Sequence, residues 1–281
     1  MDGKALAARV RERVATEAAE LGELGLATVL VGDDPASDVY IRHKHTAAEQ
    51  VGMRPVDIRL PADVSEEEVL ARLAELDADD AIDGVLVQTP LPPHLDEARL
   101  QAAVDPIKDV DGFHPLNAAW LYLGRPGLAP ATPLAVLELL HAYDVPVKGA
   151  RAVVLGRSQL VGKPAAMLLL HEHATVTVCH SRTQDLARHT LDADILVAAV
   201  GVPGVVTADM VKAGATVVDV GITRTDTGLL GDVDPAAAEV AGHMTPVPGG
   251  VGPMTIAMLL ANTVRAARFR RGMLAFPGTG R

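Results

Sequence analysis

The stretch VVLGRSQLVGKP, residues 153–164, decides the fold. An apolar run closes on Gly156, a second glycine follows at Gly162, and Pro164 opens a helical pattern. The segment therefore reads as a strand, a tight turn and a helix start. The two glycines stand further apart than in the G-x-G-x-x-G of a standard dinucleotide turn. That spacing leaves room for Arg157 and Ser158 to face an anion at the helix N-terminus.

The same alternation runs outward in both directions. RAVVLG at 151–156, TVTVC at 175–179, DILVAAVG at 194–201 and TVVDVG at 216–221 are short apolar strands with helical stretches between them. They predict a doubly wound, Rossmann-type domain over 133–252. Upstream, Leu6, Val10 and Val14 recur four apart and predict an amphipathic helix over 2–20. ATVLVG at 27–32, RPVDIRL at 54–60 and DGVLVQ at 83–88 predict strands, and Pro35 with Ser37 opens a helix to about Val51. Ser65 with Glu68 is a capping-box signature. This first part reads as a second α/β domain over 1–124, its sheet parallel and covered on both faces. GRPGLAPAT at 124–132 interrupts the pattern. Thr132 before Pro133 then looks like an N-cap and first helical residue, starting a linking helix that ends near Tyr143. TIAMLLANTVRAARF at 255–269 is a further helix, and the tail 270–281 is expected to fray.

At 281 residues the chain is long enough for two such domains, each with its own core. Its 25 Lys and Arg against 36 Asp and Glu leave a net charge of −11, which argues against a nucleic-acid or anionic-membrane surface. A single cysteine, Cys179, rules out an internal disulfide and reads as a small core residue. The charged, helical N-terminus lacks a secretory core, and no apolar run approaches the roughly 18–20 residues of a membrane span. A soluble, cytoplasmic protein is expected. His171 and His173 do not form H-E-x-x-H, and His43 and His45 point apart on a helix, so no metal site is expected.

An NAD site ordinarily puts an acidic residue at the end of the second strand, to hold the ribose 2′-hydroxyl. Here that strand runs into CHSRT, 179–183. His180, Ser181, Arg182 and Thr183 suit a 2′-phosphate instead, and with Arg157 they predict NADP. Gly156, Arg157, Ser158, Gly162, Ser181, Arg182 and Thr183 are the cofactor-binding candidates, joined by Gly201 and Ile222 at the ends of the later strands. Taken alone, the glycine pair also fits a surface turn without a ligand.

Five stretches together carry more. GDDPASDVYIRHK at 32–44, VQTPLP at 87–92, KDVDGFHPLN at 108–117, GRSQLVGKP at 156–164 and PVPGGVGPMT at 246–255 resemble, in order and spacing, the methylenetetrahydrofolate dehydrogenase/methenyltetrahydrofolate cyclohydrolase family. The resemblance covers nearly the whole chain. It implies oxidation of 5,10-methylenetetrahydrofolate with NADP⁺ and hydrolysis of the methenyl product to 10-formyltetrahydrofolate in one cleft. It also implies a catalytic domain completed by the last helix, 253–269, and a homodimer formed through the nucleotide-binding domains.

By position, Lys44 looks like the family's catalytic lysine, Tyr40 like the tyrosine that stacks on the aminobenzoate ring, and Gln88 like the glutamine bonded to the lysine. Asp111 looks like the aspartate that binds the pterin. Gly249, Gly250, Gly252 and Pro253 resemble the substrate-side loop. Residues four apart on a helix share a face, which is compatible with Tyr40 and Lys44 acting on one ligand. Each residue alone also fits an ordinary solvated face, strand end or helix entry. Two positions depart from the pattern: Thr89 stands where leucine is common, and Val202 where a basic residue is common, which removes one cofactor-phosphate contact. The alternatives are an NADP-dependent dehydrogenase of another small metabolite, shikimate-type for example, and a noncatalytic nucleotide-binding protein.

Overall fold

Leu6, Val10 and Val14, which share one face of helix α1 (Gly3–Leu21), are all buried. The computed structural model describes residues 1–125, 127–226 and 228–278, and these fall into two units. α1 runs from one into the other. Pro126, inside the interrupting stretch at 124–132, lies outside the described residues, as do residues 279–281 of the tail.

One unit comprises Arg9–Ala131 and Ile256–Arg281. Strand β1 (Gly25–Val31), buried throughout, is followed by α2 (Pro35–Gln50), whose first turn is capped by Asp34 accepting the Ser37 N–H at 2.8 Å. Next come β2 (Arg54–Leu60), α3 (Glu66–Ala78) and β3 (Gly84–Val87), and the three strands form a parallel sheet in the order β2-β1-β3. The capping box forms as expected: Ser65 Oγ accepts the Glu68 N–H at 3.3 Å and Glu68 Oε2 accepts the Ser65 N–H at 3.1 Å. The other end of α3 is closed from far along the chain. Lys108, 2% exposed, donates Nζ to the carbonyls of Leu76, Asp77 and Asp79 at 2.9, 2.7 and 2.8 Å. Two short helices follow, α4 (Glu97–Gln101) and α5 (Pro115–Tyr122).

The other unit comprises Met1–Ala8 and Thr132–Thr255. α6 spans Ala131–Ala142, so Thr132 is not its N-cap but lies inside the first turn, where Pro133 is tolerated and the Thr132 hydroxyl pairs with that of Thr255 at 3.1 Å. β4 (Arg151–Leu155), α7 (Gly162–His171), β5 (Thr175–Cys179), α8 (Leu186–Thr190), β6 (Ile195–Ala198) and β7 (Thr216–Asp219) follow in order. A small antiparallel hairpin, β8 (Thr223–Thr225) with β9 (Gly228–Leu230), precedes the two-residue β10 (His243–Met244) and α9 (Val251–Arg270). The sheet is wholly parallel, in the order β10-β7-β6-β4-β5. Its chain leaves β4 for β5 on one side and returns to β6 on the other, the doubly wound switch point. β6 and β7 stop short of the apolar runs because Val200, Gly201 and Gly221 donate their N–H groups to buried aspartates instead of a ladder.

By its contacts Met1–Ala8 groups with Thr132–Thr255: Lys4 donates its N–H to Gly249 O at 3.0 Å and the Met1 ammonium donates to Met244 O at 2.5 Å. Two expectations change. α9 starts at Val251, so Gly252 and Pro253 are helical and not part of a loop. The tail does not fray as far as Gly278: Phe276 is 6% exposed, with its ring edge-on to Phe269 at 5.2 Å.

Candidate active site

α2 buries Ile41, Ala47 and Ala48 and carries Tyr40 and Lys44 one turn apart. Gln88 follows β3 and extends the sheet, its N–H donating to Val29 O at 2.8 Å. Its side-chain Nε2 donates to Thr89 O at 2.8 Å, which leaves Oε1 to accept from Lys44 Nζ at 3.1 Å. The amide therefore has one orientation, with its acceptor on the lysine. Tyr40 is 49% exposed. Asp111 is half-buried; burial raises its carboxyl above the usual range, and the nearby Lys44 ammonium works against that rise. His45, next to Lys44, bonds through Nε2 to Thr28 Oγ1 at 2.7 Å, and burial first of all holds its pKa below the usual histidine range. Lys44 and Gln88 thus touch, and Asp111 lies within electrostatic reach of Lys44.

The turn that carries Asp111 is held by Asp109. Asp109, buried, accepts the Phe113 N–H at 3.2 Å, the His114 N–H at 2.8 Å and Asn117 Nδ2 at 2.9 Å. Burial pushes its pKa up to about 6 in spite of those bonds. Asn117 also donates to Pro106 O at 2.8 Å, and His114 Nδ1 caps α5 by accepting the Leu116 N–H at 3.0 Å. Gly112, between the two aspartates' turn and α5, has φ +72°, and a Cβ there would lie 2.5 Å from the Ala129 carbonyl carbon. The available signal was an aspartate shortly before a Pro-started helix, a turn-forming pattern.

In the other unit the turn 156–162 sits at the switch point. Gly156 has φ +125°, and a Cβ on it would fall 2.2 Å from Ala199 O; one on Gly162 would fall 2.3 Å from Gly156 O. Backbone packs on backbone at both ends of the turn, which only glycine permits. Ser158 is exposed, and its Oγ accepts the N–H groups of Val161 at 3.1 Å and Gly162 at 3.3 Å at the start of α7, with its own proton left to donate. Thr183 likewise turns back, accepting the His180 N–H at 2.9 Å, whereas Arg157, Ser181 and Arg182 are exposed. Val202 is 51% exposed. Gly201, at φ +71°, donates its N–H to Asp232, and Ile222 Cδ1 would sit 3.6 Å from a Cβ on Gly252. Gly249 has φ +106°, and a Cβ on Gly250 would fall 2.6 Å from Pro246 O. A glycine-tight turn, a helix N-terminus and exposed arginines fit a dinucleotide whose ribose carries a phosphate.

These features define a dinucleotide-dependent α/β enzyme with a lysine–amide pair in its other unit. Comparison with known proteins narrows the class. Residues 1–111 match the tetrahydrofolate dehydrogenase/cyclohydrolase catalytic domain, and residues 130–271 match the NAD(P)-binding domain of the same enzymes. The bifunctional protein FolD of Burkholderia thailandensis is 56% identical over 95% of this chain and 96% of its own length. The FolD methylenetetrahydrofolate dehydrogenase/cyclohydrolase structure from Campylobacter jejuni superposes with a TM-score of 0.94, at 44% identity over 96% of this chain and 98% of that one. The Trypanosoma brucei FolD structure, in complex with NADP cofactor and an inhibitor, gives 0.91 at 39% identity over 98% of each chain. The chain belongs to the tetrahydrofolate dehydrogenase/cyclohydrolase family. It is a bifunctional, NADP-dependent dehydrogenase and cyclohydrolase, and the other-metabolite and noncatalytic alternatives are not favoured.

Proposed function

We propose that both reactions, the oxidation of 5,10-methylenetetrahydrofolate and the hydrolysis of the methenyl product to 10-formyltetrahydrofolate, are served by Tyr40, Lys44, Gln88 and Asp111. The observation that carries this reading is the 3.1 Å bond from Lys44 Nζ to Gln88 Oε1. Tyr40 offers an exposed ring for the aminobenzoate, and Asp111 offers two acceptor oxygens to the pterin's two donors. Gly249, Gly250 and Pro253 form the backbone approach to the substrate. Gly156, Arg157, Ser158, Gly162, Ser181, Arg182, Thr183, Gly201 and Ile222 hold the NADP, which supplies the hydride acceptor when bound.

In the first step the methylene carbon gives up a hydride and becomes the methenyl cation; the chain's share is orientation of the reacting carbons. In the second, water adds to that carbon, its bond to N5 breaks and one proton is released. Lys44 moves that proton. Gln88 fixes one Nζ–H, which aims the remaining valences of the amine at the substrate side without adding an opposite charge.

We propose that the protein acts in the cytoplasm as a homodimer, as the family resemblance implies; separately, among the described residues no helix is long and apolar enough to cross a membrane. One assay tests the reading. With methylenetetrahydrofolate and NADP⁺ supplied, wild type should raise reduced-cofactor absorbance without accumulating methenyl product, and Lys44→Met should accumulate it. A variant that leaves no methenyl behind would overturn the role of Lys44.

A further inference from the structure

Two buried carboxylates that neither reaction uses hold the backbone around Gly201 and Ile222. Asp232, 1% exposed, accepts three successive backbone N–H groups: Val200 at 2.6 Å and Gly201 at 3.1 Å on Oδ2, and Val202 at 2.8 Å on Oδ1. Asp219, also buried, accepts Gly221 at 3.1 Å and the N–H of Asp232 itself at 3.0 Å on Oδ1, and Val233 at 3.0 Å on Oδ2. The backbone N–H of Asp219 is in turn donated to Thr245 Oγ1 at 2.8 Å. Asp219 therefore fixes the residue whose side chain fixes loop 200–202, and it grips the turn that leads into Ile222. Thr223 Oγ1 ties the two loops directly, donating to Gly201 O at 3.4 Å.

Room is made for both carboxylates at some cost. A Cβ on Gly221 would fall 2.1 Å from Asp232 Oδ1, and one on Gly231 would fall 1.9 Å from Asp219 Oδ2. Burial above all, with the neighbouring Asp232 charge adding to it, pushes the Asp219 pKa up to about 6 even though three N–H groups favour its ionised form. Two like-charged groups brought this close inside a domain are an expensive way to shape a turn, and such arrangements concentrate where backbone position matters for function.

We propose that Asp232, backed by Asp219, is a positioning residue for the dehydrogenase reaction: it holds loops 200–202 and 221–222 in the conformation that receives the dinucleotide. This rests on the reading that Gly201 and Ile222 contact NADP. Aspartate suits the task because two oxygens with several lone pairs can take three converging N–H groups, whereas the amide of asparagine offers one acceptor oxygen and turns an NH₂ toward the same donors.

The test measures NADP dissociation constants and steady-state constants for wild type, Asp232→Asn and Ile222→Ala, with cyclohydrolase turnover on supplied methenyltetrahydrofolate as the second readout. For Asp232→Asn the Kd and KM for NADP should rise at least tenfold while cyclohydrolase turnover changes less than threefold. Wild-type NADP affinity in Asp232→Asn, or a parallel loss of both activities, overturns the proposal. Ile222→Ala separates the two readings: weakened NADP binding there with none in Asp232→Asn refutes the positioning role alone, and wild-type binding in both variants refutes the cofactor contact as well. Should Asp232→Asn not fold, hydrogen exchange on the wild-type protein without NADP decides. The amides of 200–202 should exchange as slowly as those of β6, and exchange at the rate of an open loop overturns the bracket.

Discussion

Lys44 donates from Nζ to Oε1 of Gln88 across 3.1 Å, joining the middle of α2 to the residue that follows β3. The amide's other end is engaged by Thr89 O at 2.8 Å, so Gln88 cannot turn over without losing both bonds. General acid–base groups contribute about 10²- to 10⁴-fold. Lys44→Met is expected to lower cyclohydrolase turnover by an amount in that range and dehydrogenase turnover by less than about tenfold. Equal loss in separate assays of the two steps would contradict the division of roles.

Arg157 stands exposed in the switch-point turn. A hydrogen bond to a charged partner contributes roughly 1.5–3 kcal/mol, less when solvent screens it, so Arg157→Ala should weaken NADP binding about tenfold. NAD binding should change little, since it lacks the 2′-phosphate. Titration calorimetry with both cofactors checks this, and the same loss for each would remove Arg157 from phosphate recognition.

Lys108 shows a cation at work in the scaffold, closing α3 with three bonds to carbonyls. Its replacement by methionine keeps the stem and leaves those acceptors unmet. Lys108→Met is expected to cost about 3 kcal/mol in urea unfolding, with NADP affinity unaltered. A change below about 1 kcal/mol would show that water replaces the ammonium at little cost.

Asp109 and Asp219 both have native pKa values pushed up to about 6 by burial, against about 3.9 for an unfolded aspartate. The native state therefore binds more protons than the unfolded chain between about pH 4 and 6. Their contribution to stability is greatest in acid and falls as pH rises through that window. Asp38, Glu68 and Asp194 are shifted the other way, mainly by side-chain hydrogen bonds, but Glu68 is exposed, Asp38 and Asp194 are part-exposed, and solvent screens all three. Urea unfolding from pH 4.5 to 6.5 should show wild type losing more stability per pH unit than Asp219→Asn. Identical slopes would contradict the assignment.

The elements legible in the sequence are those whose signals are local. Ser65 and Glu68 cap each other three residues apart, and Pro35 with Ser37 marks the start of α2. Gly156 and Gly162 mark the turn because the strand and helix beside them are apolar in the right period. Asp219 and Asp232 are silent in the sequence because their partners are backbone N–H groups, most of them brought near by the fold, and nothing in their neighbours' side chains announces that; Asp109, whose partners are close in sequence, shows only as a turn-forming aspartate ahead of Pro115. The sequence shows Ser158 as an anion-facing hydroxyl, and its bonds to the Val161 and Gly162 N–H groups come from the shape of the turn. Lys44 and Gln88 lie far apart in sequence, and only the family resemblance paired them; periodicity placed Tyr40 and Lys44 on a shared face and no more.

The most direct measurement is a crystal structure of the full chain with NADP and a folate analogue bound together. The pteridine should lie with its amino group and ring nitrogen about 3 Å from the Asp111 carboxylate, and with Lys44 Nζ beside it. A pteridine seated elsewhere, with the Lys44–Gln88 pair left facing solvent, would contradict the account.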